Sequence, residues 1–163
     1  MSLAEIMHWI QSFPPMEAMR ESALVYPIVM ATHLASIAAF GGMILMTDLR
    51  LLGVAFTDYS VTDVVKGLRP WKHAGLTVIV ICGLLLGTSE ADKYYPNGFF
   101  WIKMTLLVLA VVHSLVFRGS VYHNTEALDR AKTVPPQAKV AAATSLLLWT
   151  SIACMGRLIA YWE

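Results

Sequence analysis

"VYPIVMATHLASIAAFGGMILM", residues 25–46, is apolar almost throughout and carries one histidine, His33, near its middle. The chain has no Asp, Glu, Lys or Arg between Glu21 and Asp48, a gap of 26 residues. A helix needs about 20 residues to cross a hydrocarbon core. Backbone groups in hydrocarbon must find partners within the protein, and a helix supplies them inside one segment. The stretch therefore predicts a membrane-spanning helix over about 23–46.

Working outward, three more apolar runs predict spans over about 71–89, 98–118 and 139–162. Each is too long for a strand of a membrane barrel. Hydrophobic residues make up 57% of the chain and charged residues 14%, against roughly 45–50% and about 25% in soluble domains. The mean hydropathy of +0.61 agrees. The 163 residues form one domain, and the expected fold class is all-α, an integral membrane four-helix bundle. "AEIMHWIQSF" before Pro14-Pro15 predicts a short N-terminal surface helix, and "TDYSVTDVVKGLR" a second short surface helix on the opposite side.

Aromatic residues cluster near the expected span ends, at Tyr26, Trp71, Tyr94, Tyr95, Phe99, Trp101, Tyr161 and Trp162, where a bilayer interface favours them. Trp149 is the exception and should pack in the bundle or face lipid. The loop between spans one and two holds Arg50, Lys66, Arg69 and Lys72. The loop between spans three and four holds Arg118, Arg130, Lys132 and Lys139, whereas the middle loop holds only Lys93. The excess of Lys and Arg puts the two basic loops in the cytoplasm. The expectation is a multi-pass protein of a bacterial-type inner (cytoplasmic) membrane with both termini outside.

His33, His73 and His113 stand in or beside the spans. At 1.5 Å rise per residue, His33 should lie ~15 Å below the outer end of span one and His113 ~21 Å below that of span three, a height difference of ~6 Å. His73 falls near the inner mouth of span two. Imidazoles on facing helices are a usual way for a bundle to hold haem, so His33 with His113, or His113 with His73, are candidate axial pairs. The plainer reading is that each imidazole bonds a neighbouring helix, worth about 1 kcal/mol. Small residues around His33, among them Ala35, Gly41 and Gly42, suit either close helix packing or a flat macrocycle.

Lys103 and Arg157 lie just inside the outer span ends and could snorkel to headgroups or together hold an anion such as a haem propionate. Arg69, with Lys72 and His73, forms a competing cationic set at the inner mouth. The formal net charge of +1 gives no support to a nucleic-acid partner. Cys82 and Cys154 form no CxxC pair, and both sit in apolar runs as small core residues do. The nine methionines are scattered rather than laddered along one path. No HExxH, GxSxG, Walker A or GxGxxG motif occurs.

"ATHLASIAAFGG" resembles the first span of small four-helix membrane proteins of the HemJ-type protoporphyrinogen oxidase and CopD-like groups. "FFWIKMTLLVLAVVHSLVF" resembles their third span, with an aromatic-x-Lys start and a histidine ten residues on. By position His33, Lys103 and His113 match that pattern, and "RPWKHAGLTVIVICGLLLG" in span two departs from it. The resemblance implies a bundle holding haem b, with porphyrin redox chemistry in the first group and copper handling in the second. The expected function is a membrane b-type cytochrome, linked to a quinone, a porphyrin or a redox partner subunit within the lipid bilayer. Copper or proton transport, a cofactor-free scaffold or assembly subunit, and homo-oligomerisation stay open at this point.

Overall fold

The computed structural model describes residues 2–131 and 133–161. Lys132 of the second basic loop and Trp162 of the expected aromatic belt lie outside the described residues. Helix α1 covers Leu3–Gln11 and α2 Pro14–Glu21. Four long helices follow: α3 (Val25–Leu52), α4 (Val61–Ser89), α6 (Gly98–Phe117) and α8 (Pro136–Leu158). Between them stand the short α5 (Ala91–Tyr94), a π-helical turn (Arg118–Tyr122) and α7 (Thr125–Arg130), and a 3₁₀ turn (Ile159–Tyr161) ends the described chain. Among the described residues, four helical segments are long and apolar enough to span a membrane. The protein is an all-α, multi-pass membrane protein.

Two expected boundaries move, and both matter for the site. Span one was expected to stop before the first charge, but α3 continues to Leu52 and ends at Gly53, whose φ of 76° gives the left-handed cap. Asp48 therefore lies inside a helix. The segment expected as a separate surface helix is instead the start of α4, which runs from Val61 through Pro70 without a break. Its N-terminus is held from outside. Ser60 Oγ accepts from Asp63 N, and the Asp129 carboxylate of α7 accepts from Val61 N at 2.6 Å and Thr62 N at 3.0 Å. Burial alone would raise the Asp129 acid. The bonds from Thr62 and Val61 and the charge of Arg50 outweigh that and hold it below the usual carboxylate range.

The long helices pack as an open array, with α3 between α4 and α8, and α6 against α8. Contact between α4 and α6, and between α3 and α6, is marginal, so a seam runs along the bundle between α4 and α6. At one end α1, α2 and α5 form a cap, tied by His8 Nδ1 to Asp92 Oδ2 at 2.8 Å, by Asp92 N to Gln11 Oε1 at 2.9 Å and by Arg20 Nη1 to the Ser89 carbonyl at 3.2 Å. The second helix of that cap starts at the Pro14-Pro15 pair, which suits a first turn whose N–H groups have no helical acceptor. At the other end Leu51, Val61, Val65, Val121, Leu128 and the alanines of α8 form a buried apolar core. Between the ends, Leu34, Val80, Leu84, Val108, Val116 and Leu147 remain exposed, as a lipid-facing surface requires.

Candidate functional site

Cross-helix contacts set the heights of the polar groups. His33 of α3 seats its ring on Gly83 of α4, where an added Cβ would stand 3.1 Å from the imidazole Cε1. Phe40 lies on Gly75, two turns back along α4, and meets Trp149 of α8 edge-on, at 5.0 Å between centroids. Lys103 of α6 lies against Gly156 of α8, its Nζ 3.7 Å from where a Cβ would be, and its charge acts on the His33 ring. His33, Gly83, Lys103 and Gly156 thus share one level near the cap, beside the seam. The His33 ring bonds the Ile79 backbone of α4, while its Nδ1 is buried without a hydrogen-bond partner. Lys103 makes no ion pair with a carboxylate among the described residues.

His113 lies at another level. Its Nε2 is 3.0 Å from the Ala141 carbonyl and 2.9 Å from Thr144 Oγ1, both on α8. Thr144 Oγ1 already donates to the Val140 carbonyl at 2.8 Å, so the imidazole Nε2–H is the donor to both oxygens. Along α8, Thr144 stands twelve residues from Gly156, which is ~18 Å. The height difference of ~6 Å expected from span ends is therefore too small. The expected ends were not equivalent, because Lys103, four residues into α6 by that count, already faces His33. The structure does not bring His33 and His113 to one iron. His73 is exposed on α4, and its carbonyl accepts from Thr77 Oγ1. Among the described residues no group of three His, Cys, Asp or Glu is close enough to hold a metal ion by itself.

The remaining cations are engaged elsewhere. Arg157 is exposed, donates to Tyr161 Oη at 2.6 Å and stacks over that ring at 4.8 Å, as a snorkelling residue at an interface does. Arg69 donates to the Tyr122 carbonyl at 2.6 Å. Lys72 turns inward and donates to Thr47 Oγ1 at 3.1 Å.

Sequence reasoning missed Asp48, which is 1% exposed. Its charge suggests the edge of a span. The helix stop at Gly53, five residues on, was the signal that could have placed it inside. Gly75 and Gly83 were missed too. Their spacing of eight residues puts both on the α4 face that meets α3, whereas nothing stands within 4 Å of a Cβ at Gly41 or Gly42.

The chain belongs to a family described as a family of unknown function, DUF6644, whose model matches residues 22–162 and so takes in all four long helices. No curated protein and no solved structure matches it.

Proposed function

For this member of a family without an assigned function, we propose a membrane-embedded b-type haem protein that exchanges electrons with a quinone or a porphyrin. The observation that carries the reading is His33. His113 commits Nε2 to α8 and ties two helices. His33 bonds the Ile79 backbone of α4 with its ring yet keeps Nδ1 buried without a partner, on a ring seated against Gly83. An ionisable side chain at such depth points to function by default.

His33 would be the protein ligand to the iron, and Lys103, at the same level and without a carboxylate, would meet a propionate. The bound haem would supply one-electron chemistry, with its potential set by the axial ligand and the apolar surroundings. Two features support the group: Nδ1 of His33 has no other partner, and Gly83 lets the ring lie close to α4. His113 keeps its role as the tie between α6 and α8.

Absorption spectra of detergent-purified protein, made with ample haem supply and read oxidised and dithionite-reduced, test this. The wild type should show a Soret band that shifts on reduction. His33→Ala should lose it while still inserting in the membrane, and His113→Ala should keep it with lowered thermal stability. A featureless wild-type spectrum, or unchanged haem in His33→Ala, would sink the reading.

A further inference from the structure

Asp48 is the one buried charged residue among those described, and it lies at the end of the bundle opposite the cap. Its surroundings come from three elements. Ser145 of α8 bonds one carboxyl oxygen, and Oδ2 is buried with no partner. Lys72 of α4 faces it, with Arg69 behind, and Tyr122 of the π-helical turn shares the Ser145 hydroxyl. Those are the titratable and charged groups turned toward Asp48. No Lys or Arg nitrogen reaches ion-pair distance of its carboxyl among the described residues. The Lys72 ammonium is held by Thr47, the residue next to Asp48.

A carboxylate buried with one oxygen unpartnered is costly unless a counter-charge reaches it. A neutral carboxyl in the same place needs none. Lys72 has a flexible four-carbon stem and rotatable donors, and it hydrogen-bonds the residue adjacent to the acid. Two arrangements therefore fit one backbone: carboxyl neutral with Lys72 on Thr47, or carboxylate with Lys72 moved onto Oδ2. We propose that Asp48, with Lys72 as its movable counter-charge, is a proton-binding site at the basic-loop end of the bundle. The step is simple acid dissociation: the O–H bond of the Asp48 carboxyl breaks, the electron pair stays on Oδ2, and the proton passes to water at that end. Return of the proton sends Lys72 back to Thr47. This site does not rest on the haem reading, since Asp48 lies fifteen residues, ~22 Å, from His33 along α3.

Infrared difference spectra of the full chain in lipid vesicles, titrated over the pH range in which it stays folded, read the proton directly. A carboxyl C=O band that grows on acidification and is absent from Asp48→Asn is the expected result. In Lys72→Met the midpoint of that band should move to higher pH by about one unit or more, since the opposing positive charge is gone. Ser145→Ala should keep the band and shift its frequency, because the bond to the carboxyl is lost. No titrating band that Asp48→Asn removes, or a midpoint unmoved by Lys72→Met, overturns the proposal. Should Asp48→Asn fail to fold, the Lys72→Met midpoint and the Ser145→Ala frequency decide the matter.

Discussion

At the scale of single residues, the protein contrasts two histidines with different surroundings. His113 satisfies an interhelical carbonyl and a threonine, so its chemistry is already used. His33 has a glycine under its ring and a lysine across the seam. The glycine makes a sharp test. Gly83→Ala would place a methyl group 3.1 Å from the imidazole Cε1, and forcing extra volume into such a contact costs about 1–3 kcal/mol. The loss should be read as a lowered melting temperature in detergent. In a His33→Ala background the same substitution should cost close to nothing, because the atom it strikes is absent. Equal costs in both backgrounds would show that Gly83 serves some other contact.

His33, Lys103 and His113 were legible as candidates because polar groups stand out against apolar runs. Their partners were not, because which face of a helix meets which neighbour depends on pairings that a single strip of sequence does not carry.

At the scale of elements, α4 shows how a helix is started from outside. Its first turn has N–H groups without helical acceptors, and a carboxylate from α7 accepts two of them. Asp129→Ala should destabilise this end by about 0.5–2 kcal/mol, the usual range for losing a cap, measured by thermal unfolding in detergent. The pH dependence has a definite sign. Asp129 is held below the ordinary carboxylate range in the fold. Its contribution is therefore fully present above its unfolded value and is lost as the pH falls through the folded one. The difference between wild type and Asp129→Ala should shrink on acidification, and a difference that grew instead would refute the assignment. Residue 48 belongs to this scale too. A charge was read as a span boundary, but a helix ends where its backbone ends, and Gly53 sets that point.

At the scale of the whole molecule, the array α4–α3–α8–α6 leaves a seam and separates two polar levels, one near the cap and one near the basic loops. The proposed orientation puts the cap outside and the basic loops in the cytoplasm. In a background of Cys82→Ser and Cys154→Ser, a cysteine at Lys93 should react with an impermeant maleimide on intact cells. A cysteine at Arg130 should react only after permeabilisation, and the reverse pattern would invert the topology. The proposed proton site would then open to the other side of the membrane.

Sequence by itself determined the class of this protein and the number of its spans. Unbroken apolar length is a local property, and hydrocarbon permits a helix but no open strand. It also singled out the intramembrane imidazoles, since their chemistry contrasts with every neighbour. Only the tertiary structure decided the levels. Unequal starts of α3 and α6, which run in the same direction, turn an expected ~6 Å into ~18 Å between His33 and His113, so sequence distance from a span end is a poor ruler. The burial of Asp48 was decided there as well. A carboxylate becomes interior only when other helices, here α4 and α8, close over it.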